Sequence, residues 1–234
     1  MQSIDPKNIH AIFFDVDSTL FDKEVAHKKA LNTIMKKHDL FDDIDFSELY
    51  DAFKKSDEKC VVDFDDGVPM DKIRWKRSKR FLKAIDVPEK YTETLHQEFQ
   101  STYPCVGAEI EGAVETVRKL YKDYELDIIT NSTRETQFKK LDTLNIKKYF
   151  DEFIFSEEVD SRKPDRKIFL KAIDKVDENP ENCVYVGDSF RRDVIGAKKA
   201  GMKTCWFNKD NRKKIKNERP DLEISELKQL LDIF

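Results

Sequence analysis

Short apolar runs, most of them continuous, recur along the chain, at Ala11–Phe14, Leu126–Ile129, Phe153–Phe155, Val184–Val186 and Thr204–Phe207. Runs without polar alternation suit strands covered on both faces, as in a parallel sheet. Between them the period changes. Ala113, Val114, Val117, Leu120, Tyr121 and Tyr124 recur at three and four residues, as do Ile168, Phe169, Ala172, Ile173 and Val176, the spacing of one helical face. Strand and helix in alternation predict an α/β doubly wound, Rossmann-like parallel sheet with right-handed crossovers.

Between Lys23 and Cys105 this rhythm stops. No convincing strand occurs there, several helical segments do, and Pro69, Pro88 and Pro104 punctuate them. Trp75, Ser78, Leu82 and Ile85 fall on one helical face. A crossover between parallel strands needs only about a dozen residues, so the excess reads as an inserted all-α helical domain. The expected organisation is a catalytic core of residues 1–22 and 106–234, with a helical domain at 23–105. Leu20 to Asp22 begin the hinge between them.

The 234 residues and 39% hydrophobic content are enough for one packed domain with an insertion. A formal net charge of −4 supplies no global attraction to nucleic acid or to an anionic membrane. The amino-terminal stretch MQSIDPKNIH has neither a basic start nor an apolar run, so no secretory signal is expected. No apolar stretch approaches the roughly 18 residues of a spanning helix. Cys60, Cys105, Cys183 and Cys205 show no C-x-x-C spacing, which argues against a disulfide framework or zinc site. Cys183 and Cys205 are expected as small core residues. The expectation is a soluble, reduced, cytoplasmic protein, monomer or homodimer, with neither a nucleic acid polymer nor a membrane as partner.

Ligands of open α/β sheets bind beyond the carboxyl ends of the strands, so the residues that follow each strand matter most. The first strand is followed by Asp15, Asp17 and Thr19, and the second by Thr130, Asn131 and Ser132. Lys163 stands in SRKPDRKIF after the third, and Asp188 and Asp193 in GDSFRRD after the fourth. Carboxylates gathered at one edge repel each other unless a cation sits among them. Hard oxygen donors without histidine or cysteine favour Mg2+. A magnesium ion and a lysine match the charge of a phosphoryl group, Thr130 and backbone N–H groups can bind its oxygens, and an aspartate beside the phosphorus can act as nucleophile.

DVDST, TNS, RKP and GDSFRRD stand in the order and approximate spacing of the four motifs of the haloacid dehalogenase superfamily, which the chain resembles along nearly its whole length. The insertion after the first motif resembles the branch with a helical cap. The resemblance implies that Asp15 is the nucleophile. It makes Asp17 the general acid/base, with its backbone carbonyl as a magnesium ligand. Thr130, with Asn131 following it, binds the substrate phosphate, Lys163 neutralises nucleophile and phosphate, and Asp188 ligates the metal. Asp193 either binds the metal or orients its waters. Carbon–halogen hydrolases of the family lack the second aspartate of the first motif, so Asp17 favours a phosphatase.

The implied activity is magnesium-dependent hydrolysis of a small phosphate ester through an aspartyl-phosphate. Sugar or triose phosphates, phosphoglycolate and nucleotides are the substrate classes, with the cap closing as a lid. A phosphomutase or phosphotransferase, or a catalytically silent phosphate-binding module, is the alternative. Plainer roles compete at some positions. Asp193 can cap a helix from Val194, and Thr130 and Asn131 can cap the helix that follows them. VVDFDDG, Val61–Gly67, reads as a solvated acidic loop, because an EF-hand starting at Asp63 would need glutamate where Arg74 stands. In KIRWKRSKRF the residues Lys72, Arg74, Lys76, Arg77, Lys79 and Arg80 read as a solvated face with Trp75 packed inward. A second reading turns one or two of these cations toward the catalytic edge.

Overall fold

The computed structural model describes residues 4–65, 67–215 and 218–234. Residues 1–3 of the amino-terminal stretch and Asp66 of the acidic run lie outside the described residues. The chain divides into two compact units, Met1–Lys23 with Gly107–Phe234, and Glu24–Val106.

The first unit is built on six parallel strands: β1 (Ala11–Phe14), β2 (Glu125–Thr130), β3 (Glu152–Phe155), β4 (Cys183–Gly187), β5 (Lys203–Phe207) and β6 (Leu222–Ile224). Their order is β3-β2-β1-β4-β5-β6, with Phe13 of β1 level with Asp127 of β2 and with Tyr185 of β4. All four side chains of β1 and all five residues of β4 are buried, as their unbroken apolar runs require. The expected doubly wound α/β sheet is the fold. β6 escaped the apolar-run reading because Leu222–Ile224 is short and carries Glu223 at its centre.

Four helices of this unit enter the argument: α5 (Ala113–Leu120), α6 (Arg134–Thr143), α7 (Arg166–Val176) and α8 (Gly196–Ala200). Ile168, Phe169, Ala172 and Ile173 of α7 and Ala197 and Ala200 of α8 pack with Ala11, Phe13, Ile129, Cys183 and Tyr185 in one apolar cluster. Cys183 and Cys205 are buried core residues in no disulfide, as expected. The chain leaves β1, builds β2 and β3 on one side, then crosses to β4 on the other. The switch in strand order therefore lies between β1 and β4, where ligands of such sheets bind.

The second unit contains α1, which begins at Lys23 and ends at Met35, α2 (Phe46–Asp65), α3 (Met70–Ala84) and α4 (Thr92–Thr102). Its centre is aromatic. His27 packs against Phe53, Phe99 and Tyr103 at centroid distances of 4.9, 5.7 and 4.9 Å. The structure departs from the sequence expectation at two places in this unit. Val61 to Asp65 are the last turn of α2 rather than a loop, and Asp63 is tied to Arg80 at 2.7 Å. The inward face of α3 carries Ile73, Arg77, Ser78, Phe81 and Leu82, whereas Trp75 is 38% exposed and donates its indole N–H to Glu93. Arg77 turns inward because Asp57 of α2 pairs with it at 2.9 Å and the Phe53 and Phe99 rings face its guanidinium at 4.9 and 4.5 Å. Lys79 is held by Glu89 at 2.9 Å. Among the described residues no helix is long and apolar enough to cross a membrane.

Candidate active site

The first unit's switch point gathers the polar residues that follow the strands. Asp15, the residue after β1, is anchored from the main chain, its N–H donating to the Val186 carbonyl at 2.9 Å. The chain then turns back on itself. The N–H groups of Leu20 and Phe21 both donate to the Val16 carbonyl, Ser18 takes a left-handed φ of 62°, and Asp17 pairs with Phe21 in an isolated bridge. Asp15, buried, and Asp17, half-buried, stand on either side of Val16 at the start of this tight turn. Thr19 is fully buried beneath it.

Lys163 is the hub. Its ammonium reaches Asp15 at 2.9 Å, Asp193 at 2.8 Å and the Tyr185 hydroxyl at 2.7 Å, and the residue is 2% exposed. Tyr185 passes the network on by donating to the Ile129 carbonyl at 3.0 Å. Asn131 brackets the lysine main chain, donating to its carbonyl at 3.0 Å and accepting from its N–H at 2.8 Å. The segments after β2 and β3 are thereby locked together.

Asp193 lies in a single wide helical turn, Phe190–Ile195, whose amino-terminal cap is Ser189, accepting from the Arg192 N–H. The capping role considered for Asp193 belongs to Ser189. Asp193 instead accepts from Lys163 and from the Ser189 N–H at 2.8 Å. Gly187 makes room for it, since a Cβ there would lie 2.5 Å from the Asp193 carboxyl carbon. Asp188 is gripped through its carbonyl by the Trp206 indole and by Arg212, each at 2.9 Å; Arg212 also reaches its carboxylate at 3.3 Å.

One carboxylate oxygen each from Asp15, Asp188 and Asp193 falls within 4.8 Å of the others. The structure thus brings Asp193 into the cluster beside the two acids expected there. The Asp17 carboxylate is not part of it. Burial, together with Asp193, Asp188 and Asp17 and against the pull of Lys163, pushes the Asp15 carboxyl up to about 7. Burial and then Asp193 raise Asp188 against Arg212, Arg192 and Lys163. Burial alone would lower the Lys163 ammonium, but Asp15 and Asp193 hold it above its ordinary value. Three acids around one lysine leave excess negative charge. A hard divalent cation with oxygen ligands is the chemistry that balances such a donor set, and Mg2+ fits it.

Thr130 closes the site from β2. It is 1% exposed, and its hydroxyl oxygen accepts from the Ser132 N–H at 3.1 Å and from the Gln137 amide at 2.9 Å. With both lone pairs engaged, its proton remains to be donated.

Tyr185, Gln137 and Lys140 belong to this constellation and were not among the candidates read from sequence. Tyr185 looks like an ordinary core residue of β4. Gln137 and Lys140 carried a usable signal, because with Leu141 and Leu144 they occupy three- and four-residue spacings on one helical face. Two long polar side chains in apolar positions of a helix call for buried partners.

Known proteins resemble this chain over most of its length. Residues 12–207 match the haloacid dehalogenase-like hydrolase family. The glyceraldehyde 3-phosphate phosphatase of Pyrococcus furiosus is 30% identical, over 97% of this chain and 94% of its own. The pyrimidine 5'-nucleotidase YjjG of Escherichia coli is 28% identical over 94% and 95%. The magnesium-bound Bacillus subtilis protein YfnB superposes with a TM-score of 0.84 at 24% identity, covering 96% of this chain and 98% of that one. The chain belongs to the haloacid dehalogenase-like hydrolases, in their phosphatase branch.

Proposed function

We propose that this protein is a magnesium-dependent phosphomonoester hydrolase that works through an aspartyl-phosphate on Asp15. The observation that carries the reading is the convergence on Asp15 of Lys163 at 2.9 Å and of the Asp188 and Asp193 oxygens within 4.8 Å. A carboxylate nucleophile needs positive charge to offset its own and that of the phosphate: Lys163 supplies one such charge, and a cation held by the gathered acids would supply the rest.

In the first half-reaction an Asp15 oxygen attacks phosphorus and the bond to the ester oxygen breaks. Asp17 passes a proton to the departing alkoxide; because, against burial, the Lys140 ammonium and the Gln137 amide hold its carboxyl well below the usual carboxylate range, that proton arrives with the ester's monoanion rather than resting on Asp17. In the second, Asp17 takes a proton from water as the water opens the acyl-phosphate, releasing inorganic phosphate and restoring Asp15. Lys163 offsets charge on nucleophile and phosphoryl oxygens throughout, and Thr130 donates its hydroxyl proton to one of those oxygens. Asp15, the Asp17 carbonyl, Asp188 and Asp193 are the groups that would hold Mg2+, which supplies positive charge against the transferring phosphoryl group.

The named activities of the relatives, on glyceraldehyde 3-phosphate and on pyrimidine 5'-nucleotides, support small phosphorylated metabolites as the substrate class, with sugar or triose phosphates, phosphoglycolate and nucleotides as the first compounds to try. We assign the choice among them to the helical unit, Glu24–Val106, acting as the cap. Phosphate release from a panel of such esters, in Mg2+ and in excess EDTA, tests the reading. Release that requires Mg2+ and stops in EDTA is expected; binding of esters without release would identify a silent module instead.

A further inference from the structure

Gln137 and Lys140 stand three residues apart on α6, 0% and 1% exposed. A helix that only had to pack against the sheet would carry leucines at such positions, since burying an amide and an ammonium costs several times what burying a methylene gains. The donors of both converge on the acid/base carboxylate. The Lys140 ammonium lies 2.5 Å from Asp17 Oδ1, and the Gln137 amide nitrogen is 2.9 Å from Asp17 Oδ2. Each carboxylate oxygen therefore has its own donor from one helix, and the rotation of the carboxylate is specified.

Two further contacts tie α6 into the site. The same Gln137 nitrogen donates to the Thr130 hydroxyl at 2.9 Å, linking the proton-handling residue to the phosphate-binding one. The Lys140 ammonium also lies 5.1 Å from the centre of the Phe21 ring, the residue that Asp17 bridges in the turn. The Gln137 Oε1 is buried without a hydrogen-bond partner, so the amide is oriented by its donors rather than by a balanced set of bonds.

We propose that Lys140 and Gln137 are positioning residues, through which α6 sets the place of the Asp17 carboxylate relative to Thr130 and so to the ester oxygen that departs. This rests on the reading of Asp17 as the acid/base. Neither residue touches substrate; their effect passes through Asp17.

The consequence is specific to the leaving group. Benzyl phosphate releases a poor leaving group that needs a proton, whereas 4-nitrophenyl phosphate releases a good one that hardly does. For Lys140→Met assayed in Mg2+, kcat/KM for benzyl phosphate is expected to fall about 100-fold and that for 4-nitrophenyl phosphate less than about 5-fold, because general acid catalysis is lost only where it is needed. Asp17→Asn should show the same contrast, and Lys140→Arg should restore the ratio of the two esters. Lys140→Gln, which keeps a donor at the position, serves if the methionine variant does not fold by circular dichroism, and is expected to shift the ratio in the same direction. An equal loss on both esters, no loss, or a gain overturns the proposal. If the wild-type protein releases phosphate neither from these esters nor from the metabolite panel, the phosphatase reading itself fails and the positioning role falls with it; an active wild type with an unchanged ratio in the variants removes the positioning role alone.

Discussion

Two buried aspartates on neighbouring strands have opposite fates. Asp15 stands just past β1 and Asp127 is the third residue of β2, and burial raises both carboxyls, to about 7 and about 8. Asp15 is met by a lysine and two further acids aimed at the same point. Asp127 accepts one bond, from the Glu152 N–H at 2.9 Å, its other oxygen has no hydrogen-bond partner, and the charges that reach it are those of Glu125, Asp151 and Glu152, all acidic. A raised carboxyl therefore does not mark a site. What marks it is a compensating cation, a set of donors converging on the same point, and a place at the switch in strand order.

Asp15→Asn provides the sharpest test of the comparison. Phosphate release from 4-nitrophenyl phosphate should fall by at least about 10⁴-fold, as expected for a nucleophile, while the melting temperature is kept. Activity close to wild type would remove Asp15 from its role and with it the contrast. Lys163→Met comes next. It leaves Asp15 and Asp193 without their shared cation, and the loss of one partner from a buried ion pair costs about 3 kcal/mol. Urea unfolding should show that drop, together with a loss of kcat/KM of about 1000-fold. Full stability with lost activity would mean that the lysine serves chemistry alone.

The smallest effect, and of opposite sign, is expected at Asp127. Its folded carboxyl titrates at about 8, whereas in the unfolded chain a carboxyl titrates at about 3.9. Between those values the unfolded chain has given up a proton that the fold retains, so stability falls as pH rises through that window and levels off above the folded value. Asp127→Asn removes this penalty. Its melting temperature should exceed that of the wild type at pH 8, and the difference should shrink toward pH 4, with kcat/KM unchanged throughout. A difference that stays constant or grows at low pH would show that Asp127 is ionised in the fold.

The helical unit shows a different limit of sequence reading. α3 was legible as a basic helix, yet its phase was not. Size makes Trp75 the natural inward residue, but Arg77 occupies that place because Asp57 neutralises it and two aromatic rings accept its planar face. Asp63 was legible as acidic but not as helical, since its partner Arg80 lies seventeen positions later and is brought to it only by packing. Partners distant in the chain carry no local signature.

From the sequence alone one can read what local chemistry dictates: five largely apolar runs, most of them without polar alternation, the helical faces between them, and the acids, hydroxyl and lysine that follow the strands. Those residues share one edge because every strand of a parallel sheet ends on the same side. Tertiary structure alone decided which of them meet. Asp193 joins Asp15 and Asp188 only because Gly187 leaves space and Lys163 attracts it. Asp17 turns from that cluster because α6 presents Lys140 and Gln137 to it across 123 and 120 positions of sequence. Hydrophobic periodicity specifies which face of an element is buried, whereas the partner of a buried polar group is specified only once the elements have packed.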